Sequence, residues 1–270
     1  ARAKGNAEPR VEEITEVVTR VDAAEGLPHL GFERAVMRLA QGALQQGVAL
    51  LALCNGYPCG ALGDFARWLA EAHSPGALVT ANAGPAVMPA SGGRTTGFCT
   101  NPLAFAVPTN IDEPALVIDQ STSNASLAKL REAAEAGREL PEGWALDPAG
   151  HPTTDARAAL AGSLLPFGGA RGANIALMVE MLAAGVTGAN WSKDAAPFNK
   201  GSKSPGAGLF VLALARHVDF PTRLQSWREA VQADEGAYLP GLARGEDLEH
   251  ARHRGFAVDA KLWAEIKALG

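Results

Sequence analysis

Residues 164–189 read LLPFGGARGANIALMVEMLAAGVTGA, a Pro- and Gly-rich bend that opens directly into a long apolar helix. In the bend, Gly168, Gly169 and Gly172 allow positive φ and close approach of the backbone to a ligand. In the helix, Ile175, Ala176, Met178, Val179, Met181, Leu182 and Val186 cover most of the circumference, which predicts burial on nearly every side. Glu180 is the single charge inside that apolar run. A bend of this kind ahead of a helix presents unpaired N–H groups and the positive end of the dipole. That is a place for a phosphate or carboxylate, with Arg171 as counter-charge. The alternative is a tight turn that only packs against a sheet.

With 270 residues the chain can bury a large core in one domain or two packed ones. Its 47% hydrophobic and 20% charged residues are globular, which excludes a disordered chain. The net charge of −5, with Lys and Arg scattered, argues against a nucleic-acid partner. No apolar run reaches the length of a membrane span, and residues 1–20 lack the apolar core of a signal peptide, so a cytoplasmic protein is expected. Cys54, Cys59 and Cys99 form no CxxC and read as small core hydrophobes, with neither a disulfide framework nor a metal site. Cys59 acting as a nucleophile with His73 as its base is the alternative, although nothing in the sequence brings the two together.

Outward from the bend, strands are predicted at 17–21, 48–54, 77–81, 115–121 and 209–215, and an extended segment at 100–108. Helices are predicted at 32–46, 62–73, 123–137 and 260–269, with Thr154 or Asp155 capping a further short one. Residues 1–16 read as a polar tail. Residues 84–99 form a long irregular stretch, and 191–204 a mobile loop over a site. Strands separated by helices indicate a layered α/β or α+β unit. No GxGxxG follows any strand, so the Rossmann fingerprint is missing.

NGYPCGAL at 55–62, TNPLAFAVP at 100–108, DQSTS at 119–123, PEGWALDPAGHPTTD at 141–155 and the bend-helix at 164–188 occur in one order and spacing. In these pieces the chain resembles the malate/L-lactate dehydrogenases that are not Rossmann proteins. That family includes ureidoglycolate dehydrogenase, sulfolactate dehydrogenase and the reductases of piperideine-2-carboxylate and pyrroline-2-carboxylate. The resemblance runs from about residue 17 to the C-terminus. It implies an α/β (α+β) fold with a mixed sheet and helical layers, and hydride transfer between NADP or NAD and a small substrate, a 2-keto acid or cyclic imine carboxylate. It also implies a homodimer with its site at the subunit interface. By the same resemblance the cofactor lies against Pro58, Cys59, Gly60, Ala61 and Leu62, against Asp119, Gln120 and Ser121, against Ala170 and Arg171, and under a loop containing Gly206; Thr100 contacts substrate. Residues 17–122 then form the cofactor-binding part, and 1–16 with 123–270 a helix-rich substrate and dimerisation part.

Four departures bear on chemistry. The family's proton-donating histidine lies in a Ser-His-Gly segment upstream of residue 1, and a trimmed chain is expected. Pro58 stands where the family carries histidine, Ala170 and Arg171 stand for His-Lys, and SLAK at 126–129 replaces an Ala-Arg-Gly run. Arginine keeps the charge and grips phosphate bidentately. Tyr57 is the candidate donor within the chain, although an ordinary tyrosine has a pKa of about 10; the alternative makes it an aromatic wall. The competing functional readings are the same fold repurposed for other or non-redox chemistry, or a non-catalytic binding subunit.

Overall fold

The computed structural model describes residues 3–73, 75–109, 115–198, 201–240, 250–251 and 253–268. In chain order the N-terminal elements are β1 (Arg10–Glu13), β2 (Val18–Asp22), α1 (Pro28–Gln46), β3 (Val48–Gly56), α2 (Leu62–His73), β4 (Gly76–Ala81), β5 (Met88–Pro89), β6 (Thr96–Phe98), β7 (Leu103–Val107) and β8 (Leu116–Gln120). There follow α3 (Leu127–Glu135), β9 (Ala145–Leu146), β10 (Pro152–Thr153), α4 (Ala156–Ala161), β11 (Ser163–Leu164), α5 (Ala170–Glu180), a π-helical turn at Met181–Val186, β12 (Ala207–Leu214), α6 (Phe220–Gln232) and α7 (Ala260–Lys267).

Seven strands form one mixed sheet in the order β1-β2-β3-β12-β4-β7-β8, and only β2 and β3 pair in parallel. β3 is apolar on both faces because both are covered. Helices α1 and α2 lie on one face, where Phe32, Leu39, Leu62 and Leu69 pack against Leu51, Leu53, Val79, Leu209 and Val211. The π-helical turn contacts β12, β4 and β3. It lies on the opposite face, since Gly208, which alternates with core residue Leu209, abuts the carbonyl of Ala183. β12 comes from the 123–270 part of the sequence yet sits between β3 and β4, so the large sheet draws on both parts of the chain.

Local signals explain the element ends. α1 opens on Pro28, whose missing N–H costs nothing there, and ends at Gly47 with φ of 90°, whose N–H donates to Ala43 O at 2.8 Å. α4 is capped by Asp155, which accepts from the amides of Arg157 and Ala158, as the sequence led us to expect. A second core under α3 and α4 gathers Met88, Leu130, Leu140, Leu164 and Ala176.

Several expectations need correction. The polar tail at 1–16 contains β1, paired antiparallel to β2; its four residues are all exposed, so no apolar pattern marks it. The irregular stretch at 84–99 holds the β5–β6 ribbon. The helix expected at 123–137 is shorter, beginning after the N-cap Ser126, because Ser123 turns its hydroxyl onto Ala125 O instead. The helix at 260–269 is described as far as residue 268, and residues 241–249 lie outside the described residues.

Candidate functional site

The separate sequence motifs converge on the C-terminal end of β8. Asp119 accepts from the backbone N–H of Gly63 at 3.0 Å, tying the strand end to the first turn of α2 and hence to the segment 57–62. Gly63 suits this close approach, because a Cβ would lie 3.0 Å from the Asp119 side chain. One step along, the carbonyl of Thr100 accepts three hydrogen bonds: from Ser121 Oγ at 3.1 Å, Thr122 Oγ1 at 2.8 Å and Thr122 N at 3.0 Å. The Gly-rich bend closes on the same strand end through Phe167 N to Thr122 O at 3.0 Å and a bridge between Ser123 and Pro166.

The bend has the geometry its glycines require. Gly168 and Gly169 have φ of 57° and 62°, and a Cβ on Gly172 would run into the Phe167 carbonyl. Gly169 is the N-cap of α5 and offers no side chain, so the first-turn amides have no side-chain partner. Ala170 and Arg171 are exposed, and Arg171 makes no ion pair or side-chain hydrogen bond among the described residues.

The helix that follows corrects the expectation of burial on nearly every side. Ala176, Val179, Glu180, Ala183 and Ala184 are buried, whereas Leu177, Met178, Met181 and Val186 remain between 43 and 50% exposed. Apolar composition all round a helix favours a cover on each side, and among the described residues the cover lies towards the sheet. At Met181–Val186 the helix widens into a π turn, held at its end by Thr187 Oγ1 donating to Ala183 O at 2.7 Å.

Tyr57, Pro58, Cys59 and Gly60 line a cavity of about 50 Å³ together with Asn82 and Gly208. That volume holds a few waters. Neither Asp119 nor Arg171 lines the cavity. Tyr57 is 7% exposed. Leu62, expected at the cofactor, is a core residue at 1% exposure, whereas Ala61 and Gln120 are exposed. Gly206 is buried at φ of 61°, where its neighbour Pro205 accepts from Asn190 Nδ2 at 3.0 Å. Within the loop at 191–204, residues 199 and 200 lie outside the described residues.

Burial disfavours the thiolate at all three cysteines. Burial pushes the Cys59 thiol up to about 12 and the Cys99 thiol up to about 11, and it also raises Cys54. Cys59 keeps some surface, but its side chain packs against the core under α1 and α2. The side chain of His73 lies outside the described residues.

Four buried polar residues join this region and were not anticipated as parts of a site. Asn82 donates to Asn190 O and accepts from Gly208 N, both at 2.6 Å. Asn101, Glu180 and Ser192 form a second cluster. The lone charge in an apolar helix was the one sequence signal for them; nothing local marked Asn82, which follows a strand. Among the described residues no group of His, Cys, Asp and Glu suits a metal, and no helix is long and apolar enough to cross a membrane.

Residues 1–267 match the family model described as Malate/L-lactate dehydrogenase. The chain is 38% identical over 255 residues to a (2R)-3-sulfolactate dehydrogenase (NADP(+)) of Chromohalobacter salexigens, covering 90% of this chain and 75% of that protein. It is 34% identical over 277 residues to a Delta(1)-pyrroline-2-carboxylate reductase of Ancylobacter novellus, covering 100% of this chain and 80% of the relative. Among solved structures, the delta1-piperideine-2-carboxylate reductase from Pseudomonas syringae pvar. tomato superposes with a TM-score of 0.89 at 29% identity, over 99% of this chain and 82% of that one. The motif order, the mixed sheet and these likenesses agree, and the chain belongs to the malate/L-lactate dehydrogenase family of oxidoreductases.

Proposed function

We propose that the chain is an NAD(P)H-dependent reductase of a 2-keto acid or cyclic imine carboxylate. The observation that carries this reading is the convergence of Thr100, Ser121, Asp119 and the Gly-rich bend at one strand end. The bend also suits the cofactor's phosphates: its first-turn amides have no side-chain cap, and the guanidinium beside them has no ion-pair partner among the described residues. The nicotinamide supplies the hydride when bound. Arg171 and the amides from Ala170 onward hold the anionic groups, Asp119 to Ser121 and the segment 58–62 border the cofactor, and Thr100 orients the substrate. Tyr57 and Cys59 are the titratable side chains lining the cavity; with the thiol held up to about 12, the phenol is the proposed proton donor of this segment. A cytoplasmic location goes with this reading.

Addition of NADPH or NADH to the protein is expected to raise its melting temperature. Arg171→Ala is expected to weaken the cofactor by about 10- to 100-fold, the worth of a charge-assisted hydrogen bond or two. No binding of either nucleotide at millimolar concentration would remove the redox reading. Cofactor bound but never oxidised, across keto acids and cyclic imines, would favour non-redox chemistry on the same fold. Pro58 at the cavity wall, with neither a titratable group nor an N–H, is the observation behind that second reading.

A homodimer is part of the same proposal, supported by the exposed stripe of Leu177, Met178, Met181 and Val186, which lies on the helix leading from the bend. Light scattering is expected to give twice the chain mass of 28.0 kDa. Met181→Glu is expected to return it to the monomer; a monomeric wild type would refute this part alone.

A further inference from the structure

We propose that Glu180 is a positioning residue, which fixes the substrate segment at Thr100 and the start of the loop after Trp191 in one arrangement. This rests on the reading of Thr100 as the substrate-contacting residue. Glu180 is 3% exposed, at the end of α5 and behind the apolar run Ile175–Val179. Its two oxygens take three donors: Ser192 N at 2.6 Å on one, Ser192 Oγ at 2.7 Å and Asn101 Nδ2 at 2.8 Å on the other. Glu180 therefore joins two segments that are 91 residues apart in sequence (192 − 101) and that share no other hydrogen bond among the described residues.

The Asn101 end sets the geometry of Thr100. Asn101 is fully buried and has φ of 34°, a left-handed conformation that an L side chain seldom adopts without being held. Its amide nitrogen donates both to Glu180 and to Ala176 O at 2.9 Å, whereas Oδ1 is buried without a partner. Both neighbours of the nitrogen are acceptors, so the amide cannot turn over without placing oxygen against oxygen. The strained backbone is thus held from α5, and the residue before it, Thr100, has its carbonyl fixed by Ser121 and Thr122.

The Ser192 end sets the loop. Besides its two bonds to Glu180, Ser192 accepts from Ala86 N at 2.9 Å, which draws the stretch before β5 into the same knot. Trp191 packs against Gly185 on the π-helical turn, where a Cβ would come within 3.0 Å of the ring. A carboxylate is the group that fits: glutamine offers one acceptor oxygen and an NH2, so at least one of the three donors would face another donor.

The test compares wild type with Glu180→Gln, and with Ser192→Ala, which removes one donor and keeps the amide bond. Amide exchange at Ser192, and at Thr122 whose acceptor is Thr100 O, is expected to accelerate together in Glu180→Gln, while exchange in β3 and β12 stays as in wild type. In reduction of Delta(1)-pyrroline-2-carboxylate or a 2-keto acid, Km is expected to rise about 10- to 100-fold, because a displaced binding group weakens ground and transition states alike. The cofactor dissociation constant is expected to stay within about twofold, and Ser192→Ala to shift Km in the same direction by less. Acceleration at Ser192 with Thr122 unchanged would overturn the proposal, as would equal losses of substrate and cofactor affinity. If the wild type binds no nicotinamide cofactor, the redox reading falls, and the paired exchange at Ser192 and Thr122 still decides whether the tether exists.

Discussion

Gly208→Ala is expected to abolish the native packing between the large sheet and the π-helical turn. A Cβ at this position would strike the Ala183 carbonyl and come within 2.7 Å of Thr187 Oγ1 and 2.8 Å of the Ala189 side chain. Backbone cannot move aside as a flexible side chain does, and the Gly208 N–H is already committed to Asn82. Overpacking of this kind costs about 3 kcal/mol or more. For a chain of this size the melting temperature should drop by roughly 6–12 °C. Gly97→Ala is the control: it has no atom within 4 Å of its added Cβ and should melt within about 1–2 °C of wild type. Equal drops in the two variants, read by circular dichroism, would show that the close approach at Gly208 is unimportant. Because Gly208 also lines the cavity beside Tyr57, Gly208→Ala should lose cofactor-induced stabilisation in parallel.

Phe32→Ala removes the centre of the core between α1 and α2. Phe32 is fully buried, meets Phe65 edge-on with ring centroids 5.1 Å apart, and lies 5.4 Å from the Trp68 ring. Leu51 and Leu53 belong to the same core, so the vacated volume has no flexible neighbour to fill it. Urea unfolding should show a loss of about 3–5 kcal/mol with the m-value unchanged. A loss below about 1 kcal/mol would mean that the helices collapse onto the sheet and that this face is less tightly packed than its burial implies.

Wherever the cause of structure is local, it was legible in the residues. Pro28 and Gly47 bracket α1, Asp155 caps α4, and the unbroken apolar run of β3 announces a strand covered on both faces. The bend at 166–172 was legible for the same reason, because positive φ at Gly168 and Gly169 depends on the absence of a side chain and on nothing distant. The segment 84–99 and the polar strand β1 were not, since their pairing comes from partners rather than from any period of their own. The candidate site was legible as a set of motifs in the family's order. That Asp119 caps α2, that Thr100 O takes three donors, and that Leu62 faces the core became visible only when the motifs were brought together.

By itself, then, the sequence determined the family, the main helices and strands and the Gly-rich bend, all of which depend on residue type and short spacing. Tertiary structure alone decided that β12 enters the sheet between β3 and β4, that the central helix leaves an apolar side uncovered, and that Glu180 meets Asn101 and Ser192. Each of those depends on which distant segment arrives as neighbour. Hydrophobic periodicity reports that a face needs a cover; chain topology, set by the sum of many long-range contacts, selects what covers it.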